Sequence, residues 1–242
     1  MNFLAGPSRD NDAWTRHFFG NEELASSQVY PAQGLIRIFR GAYPTLPAVP
    51  TDGVAVDVGC GDGRNSRFLS DQGFHVIGIE TDKSHVSELR RANPEGQFLE
   101  GLCSNLPLST ATADVTVAWN SCYYMDASDV SLSDHLQELY RVTKPGGMII
   151  VSMPMPSSFI FKGAVRETKK VDSRRGVRYL VVEQDPFNLR NGQTLATYRN
   201  TSSLREHVTQ LGTLELVVSS EEGDWFGYRY DWWVWTAVKG PH

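Results

Sequence analysis

VAVDVGCGDGRNSRFLSDQGFHVIGIE, residues 54–80, decides how the rest of the chain is read. A short β-branched run at 54–58 leads into glycines at 59, 61 and 63. Helical spacing over 64–72 then stops at Gly73, and a second apolar run follows at 74–79. Strand, helix and strand in this order make a right-handed crossover, so the two strands are parallel. Glycine lets the backbone take positive φ and come close to a ligand, and the free N–H groups of a helix start attract negative charge. Glu80 ends the second strand 21 residues after Gly59, the separation at which an acid accepts hydrogen bonds from ribose hydroxyls. The stretch therefore predicts a ribose-bearing ligand across the ends of the first two strands. A dinucleotide fingerprint would need its third glycine at 64, where this chain has Arg64, and the nicotinamide or flavin reading loses ground there.

Working outward, helix and strand signals keep alternating. A helix is expected at 84–92, a short strand at 97–99, a strand at 114–119, a helix at 132–142 closed by KPGG (144–147), and a fifth strand at 148–153. This alternation predicts a doubly wound α/β sheet of Rossmann-like type. Upstream, residues 14–19 and 32–42 read as helical patches forming an N-terminal cap, and three prolines in 43–53 force a linker. Downstream, 178–183 and 194–199 look like a strand pair joined across 185–193, a β insertion over the sheet. A helix at 201–211 follows, with Thr201, Ser202 or Ser203 as N-cap. Strands at 214–219 and 232–238, linked through 221–230, would complete a seven-stranded, mostly parallel sheet with an antiparallel last strand. The expected divisions are thus 1–50 (cap), 51–153 (cofactor half), 154–200 (insertion) and 201–242 (completion of the sheet) within one structural domain.

The string Asp57-Val58-Gly59-Cys60-Gly61-Asp62-Gly63 closely resembles the first motif of class I S-adenosylmethionine-dependent methyltransferases. Gly78-Ile79-Glu80 resembles that family's ribose-binding motif, GLCSNLPL (101–108) its adenine-side segment, and RVTKPGG (141–147) the turn before the fifth strand. The outer parts resemble the small-molecule subgroup, through Tyr30-Pro31 with Gly34-Leu35-Ile36-Arg37 and through Tyr123-Tyr124-Met125. The resemblance implies S-adenosyl-L-methionine as cofactor, with Gly59, Cys60, Gly61 and Gly63 wrapping the methionine moiety and Asp57 tied to the turn. It implies Glu80, followed by Thr81, at the ribose, Leu102, Cys103 and Ser104 at the adenine, and Asn120 beside the sulfonium. There is one departure: the family commonly has an aspartate where this chain has Leu102, so the carboxylate contact to the adenine amino group is expected to be lost, with Cys103 or Ser104 in its place.

Composition bounds the rest. The chain has 242 residues with 40% hydrophobic and 21% charged residues, which suits one enzyme-sized unit. Three cysteines without metal-ligand spacing, no apolar run long enough to cross a bilayer, and no leader-like start make a cytoplasmic protein without a metal the expectation. A net charge of −5 argues against nucleic acid as partner. Residues 162–178 are the exception, with seven basic residues against two acids. Two readings stay open for them: a solvated, mobile loop, or a clamp over an anionic substrate.

Methyl transfer from a sulfonium is an in-line displacement in which alignment does most of the work, and a base is needed only if the acceptor must lose a proton. Tyr123, at the carboxyl end of the fourth strand, and His17, in the cap, are the catalytic candidates, with aromatic packing the competing account of the tyrosines. His135 reads as a surface or packing residue of its helix. Asp126, Asp129 and Asp134 read as helix-start and solvent-facing acids. Tyr124, Arg37, Trp225, Tyr228 and Arg229 are candidates for the acceptor side. The favoured function is methyl transfer to an oxygen or nitrogen of a small metabolite, anionic or linked to a sugar or nucleotide, by a monomer or homodimer. RNA or protein methylation, and a non-catalytic cofactor-binding subunit, are the alternatives.

Overall fold

The computed structural model describes residues 30–41, 43–163 and 165–241. Helix α1 (Gln33–Arg40) precedes β1 (Val54–Val58), α2 (Arg64–Asp71), β2 (His75–Glu80), α3 (Lys83–Ala92), β3 (Gln97–Glu100) and β4 (Ala113–Trp119). Next come α4 (Leu132–Val142) and β5 (Thr143–Pro154), then β6 (Val165–Thr168), β7 (Val177–Val182) and β8 (Thr194–Tyr198). Helix α5 (Thr201–Thr209) and strands β9 (Leu214–Trp225) and β10 (Tyr228–Lys239) end the chain. Seven strands form one sheet in the order β3-β2-β1-β4-β5-β10-β9, and β6, β7 and β8 form a second, antiparallel one. Strands β1 to β5 are parallel; β10 alone is reversed, antiparallel to both β5 and β9. This is the expected doubly wound sheet. Its order turns around between β1 and β4, which opens a crevice beyond their carboxyl ends. The helical patch at 14–19 and His17 lie outside the described residues.

Strand residues alternate between the two faces. Val56 and Val58 join the cluster that α4 (Leu132, Leu136, Leu139), α5 (Leu204, Val208) and the inserted β7 and β8 complete, while Ala55 faces α1 (Leu35) and α2 (Leu69). Helix α4 starts sharply because Ser131 accepts the Asp134 N–H and Asp134 accepts the Ser131 N–H, a capping box that contributes on the order of 1 kcal/mol. Among the described residues no helix is long and apolar enough to cross a membrane.

Three local expectations change. KPGG does not lie between α4 and a strand starting at 148. Thr143 already pairs with Ala113, and the register then jumps to Val115 opposite Met148, so 144–147 loop out as a bulge pinned by Lys144 Nζ donating to Asp114 Oδ2 at 2.7 Å. Residues 221–230 are not a long connection either. Strands β9 and β10 stay paired out to Trp225 opposite Tyr228, closed by Phe226 (φ 54°) and Gly227 (φ 87°), a two-residue turn whose twist suits the strands. Finally, α5 is capped by Asn200, which accepts the Ser203 N–H, one position before the expected candidates.

The inserted sheet reaches the main one through the segment after β4. Met125 N–H donates to Thr194 O at 3.0 Å and Ala196 N–H to Tyr123 O at 2.8 Å, so residues 123–125 run beside β8. That pairing holds the side chains after β4 against the crevice.

Candidate active site

At the end of β1 the chain turns through Gly59 (φ 69°), Gly61 (φ 57°) and Gly63 (φ 80°), the last capping α2. A side chain at 59 is barred twice, by the left-handed backbone and because its Cβ would fall 2.4 Å from Ser121 Cβ. Gly59 and Cys60 N–H groups both donate to Ile79 O, fastening the loop to β2. Asp57 sits beneath it, buried, accepting from Ser66 Oγ at 2.6 Å; burial raises its pKa to about 6. Asp57 thus shapes the start of α2 without lining the cleft. Cys60 turns its thiol into a small cluster with Val86, Leu89 and Phe98, and burial lifts its pKa well above the usual range, so only its backbone faces the loop.

Glu80 lies at the cleft wall as the ribose reading requires. Its Oε2 accepts the Gly61 N–H at 3.0 Å, and its Oε1 accepts from Thr81 N–H and Oγ1 at 2.7 and 3.0 Å. The carboxylate therefore couples the glycine loop to β2. The cleft is lined from there by Thr81, Asp82 and His85, by Gly101 and Cys103, and by Asn120, Ser121, Tyr124, Asp126 and Gln193. Leu102 is not among them. It lies 45% exposed on the outside of the turn that pairs it with Asn105, and Ser104 meets the site through its backbone, donating to Asp126 Oδ2 at 2.8 Å.

Asn120 occupies a left-handed conformation (φ 56°), which asparagine tolerates better than most residues. Ser152 holds it there, accepting from Asn120 N–H at 2.9 Å and donating to its Oδ1 at 2.8 Å, and the Asn120 amide also bonds to the Tyr230 hydroxyl. Tyr124 lines the cleft, and its hydroxyl accepts from Arg190 Nε at 3.0 Å. Arg190 is nearly buried, paired with Asp185 at 3.1 Å and lying over the Phe159 ring. Phe159 in turn meets Phe187, Tyr228, Tyr230 and Trp232, a cluster of rings that lies behind Arg190 and, like the sequence candidate Tyr228 within it, does not line the cleft.

The other predicted positions separate. Tyr123 stacks on Tyr124 with centroids 4.6 Å apart, but it is 1% exposed and does not line the cleft. Its burial pushes the phenol pKa well up, so packing is its role and Tyr124 is the tyrosine the cleft exposes. Trp225, at the hairpin tip, is 66% exposed; Arg229 pairs with buried Asp231; neither lines the cleft. Arg37 lines a different cleft, between α1 and the β9–β10 hairpin, facing Glu221. Of the two readings of His135, packing holds and surface does not: it is wholly buried, with Nδ1 2.7 Å from Cys122 O and Nε2 2.9 Å from Asp126 Oδ2. Asp126 is correspondingly enclosed rather than solvent-facing. Burial opposes its charge, but the His135 and Ser104 hydrogen bonds prevail and lower its pKa.

The basic residues of 162–178 are folded, not loose. Arg178 pairs with Glu167 and Arg166 with Glu183 across β6 and β7, Lys170 Nζ donates to the carbonyls of Ala127 and Ser128, and Lys162 Nζ to that of Gly227. None of the seven lines the cleft.

A sheet of this order, with a glycine loop after β1 and an acid ending β2, defines the class I methyltransferase fold. Residues 56–151 match the family described as "Methyltransferase domain". Over 94 residues the chain is 33% identical to a malonyl-(acyl-carrier protein) O-methyltransferase of Pectobacterium atrosepticum, covering 39% of this chain and 36% of that one. A Burkholderia thailandensis structure of 1,6-didemethyltoxoflavin-N1-methyltransferase, bound to its substrate and S-adenosylhomocysteine, superposes with TM-score 0.61 at 15% identity, covering 99% of this chain and 93% of that one. A chain from a Haloferax volcanii complex of the Trm112 methyltransferase activator with a methyltransferase gives TM-score 0.63 at 18% identity, covering 98% and 99%. Residues 56–151 thus carry a methyltransferase domain of class I type, with S-adenosyl-L-methionine as its methyl donor. The chain spans between about a third and a half of the length of the curated relatives it matches.

Proposed function

We propose that the protein transfers a methyl group from S-adenosylmethionine to an oxygen or nitrogen of a small metabolite that enters the cleft beside Asn120 and Tyr124. The cradle suits the donor: the backbone at Gly59 leaves no room for a side chain, and Glu80 presents a carboxylate beside it. When bound, the donor supplies an electrophilic methyl on a sulfonium whose charge vanishes as the methyl leaves. Asn120, locked by Ser152 and Tyr230, fixes one wall of the reaction space. Tyr124 faces the cleft, and the Arg190 guanidinium bonded to its oxygen fixes the hydroxyl in place, which suits orienting an acceptor there. Behind them Phe159 lies under Arg190 and Tyr230 bonds to Asn120, so packed rings hold this wall in place.

The observation that carries this reading is Tyr124, exposed to the donor cleft and bonded to a nearly buried guanidinium. Among relatives, the Pectobacterium enzyme is named for an oxygen acceptor and the Burkholderia one for a nitrogen, so both kinds belong in the trial. The test is calorimetric titration with S-adenosylmethionine and S-adenosylhomocysteine, then turnover on pooled phenols, nitrogen heterocycles, carboxylates and sugar nucleotides. Binding followed by turnover on one pool confirms the reading. Binding with no turnover on any pool refutes the small-molecule acceptor and moves the weight to a macromolecular acceptor or a non-catalytic role.

A further inference from the structure

A second cleft lies between α1 and the β9–β10 hairpin, encloses about 250 Å³ and shares no lining residue with the donor cleft. Three polar side chains on its wall make no hydrogen bond or ion pair among the described residues. Glu221 is half-buried on β9, with its Oε1 so close to Gly34 that a side chain at 34 would run into it. Burial raises its pKa, Arg37 lowers it through space, and no hydrogen bond takes part. Arg37 stands about one turn along α1 from Gly34, exposed at the mouth of the cleft. At the far end Thr236 is 3% exposed, and its Oγ1 has no partner. Trp232 stands opposite Glu221 in the hairpin, and Thr236 is four residues further along the same strand, about 13 Å away. Val234 lies between them, Val217 stands opposite Thr236, and Ile38 comes in from α1, so apolar side chains line the middle of the cleft, with Ser219 at its exposed rim.

A buried hydroxyl without a partner and a half-buried carboxylate without a hydrogen bond both cost stability in the free protein, and a ligand that bonds them removes that cost. A simple cation in this cleft would face Arg37, and a simple anion would face Glu221. A ligand that carries both charges pairs with both. We propose that this cleft is a second ligand site, which takes an α-amino acid: its ammonium on Glu221, its carboxylate on Arg37, and its side chain running over Val234 to a polar end at Thr236. A tyrosine-like side chain, an apolar ring with a hydroxyl at its tip, has that form. The site stands apart from the donor cleft and from whatever is methylated there.

The test is calorimetry on the full chain with L-tyrosine and three relatives of it. Tyramine lacks the carboxylate, hydroxyphenylpropionate lacks the ammonium, and L-phenylalanine lacks the hydroxyl. L-Tyrosine is expected to bind with Kd below about 1 mM, tyramine and hydroxyphenylpropionate about 10-fold or more weakly, and L-phenylalanine about three- to tenfold more weakly. Each variant is expected to erase one of these differences. Arg37→Gln brings L-tyrosine down to tyramine, Glu221→Gln brings it down to hydroxyphenylpropionate, and Thr236→Val brings it down to L-phenylalanine. Thr236→Val also keeps or raises the melting temperature, because the hydroxyl it removes has no partner in the free protein. Gly61→Arg, whose side chain falls in the donor cleft, is expected to leave L-tyrosine affinity within about twofold, which separates this site from the amino-acid end of the cofactor. No binding of L-tyrosine overturns the proposal, as do differences that persist in the matching variants, or binding that Gly61→Arg abolishes.

Discussion

The two sides of the cleft are built from different materials. The donor side, from Gly59 to Thr81, is backbone: left-handed glycines, N–H groups aimed at Ile79 O and Glu80, and a helix start. The side proposed for the acceptor is side chain: Asn120 and Tyr124 in the cleft, with Arg190, Asp185, Tyr230 and the rings around Phe159 behind them, drawn from four separate stretches of the chain. Backbone cannot be altered without moving the chain, whereas a side-chain wall can be rebuilt one residue at a time. Under the proposed function, the donor side would fix what chemistry the protein does, and the acceptor side on what.

The sharpest way to break that contrast is at Gly61. Gly61→Arg puts a long side chain at a position with φ 57°, on the loop whose N–H meets Glu80. The left-handed strain costs only about 1–2 kcal/mol, well within the stability of a chain of this size, so folding should survive while cofactor affinity falls by more than about 100-fold. Calorimetry together with a melting curve separates the two. Unchanged affinity in a folded variant would mean that the donor side is not made of this backbone.

The next effect lies on the other wall. Tyr124→Phe removes the hydroxyl that Arg190 holds and keeps the ring, so kcat is expected to fall about 10- to 100-fold on the acceptor identified, with donor affinity unchanged. Tyr123→Phe, its buried neighbour, is expected to leave kcat within about threefold, since the hydroxyl lost there does not reach the cleft. Reversed rankings would move the chemistry from Tyr124 to Tyr123.

The same contrast explains what could be read before any coordinates. The donor side is contiguous: strand, glycine turn, helix and acid fall within 27 residues, and each carries a local signal. The alternating strands and helices, the reversed last strand and the glycine turn with its acid followed from such local patterns, while the family resemblance implied a common ligand for Gly59, Gly61, Glu80, Thr81, Cys103 and Asn120, which do line one cleft. Arg190 reaches Tyr124 across 66 positions, from a loop shaped by Asp185 accepting the Leu189 and Arg190 N–H groups, and nothing in its neighbourhood marks it. For His135 the sequence leaves surface and packing both open, because helical spacing does not say what lies beneath, here Cys122 O and Asp126. A hairpin of the last two strands is legible, but not its tight turn, which uses Phe226 at positive φ where an asparagine or aspartate would mark it.

A smaller effect tests how the inserted sheet is tied to the core. His207 is buried between Ser133 Oγ at 2.7 Å and Tyr198 hydroxyl at 2.9 Å, with Asp172 and Arg175 as its charged neighbours, and burial lowers its pKa. A histidine held below its unfolded value contributes stability that is fully present above about pH 6.5 and declines as pH falls from there toward the folded value, because the unfolded chain takes up the proton first. Wild-type stability should therefore drop by up to about 1.4 kcal/mol per pH unit more than that of His207→Gln between about pH 6.5 and 5. The comparison with the variant cancels Asp57, whose raised pKa works in the opposite direction. Parallel urea-unfolding profiles for the two proteins would show that His207 carries no such load.

The smallest effect belongs to the positive charge that stood out most in the sequence. A clamp over an anionic acceptor would need those charges at the cleft, and Arg166, Arg178, Lys170 and Lys162 are instead spent on Glu183, Glu167 and backbone carbonyls. Lys170 belongs to the scaffold, because its ammonium holds the loop after Met125, so it is left alone in the test. Neutralising Lys169, Arg174 and Arg175 to glutamine leaves that scaffold intact. Exposed charges about a Debye length from a site are largely screened at physiological salt, so turnover is expected to change by less than about twofold. A tenfold loss confined to anionic acceptors and relieved by added salt would give the acceptor wall a long-range electrostatic component, and the division between a backbone donor side and a contact-built acceptor side would fail.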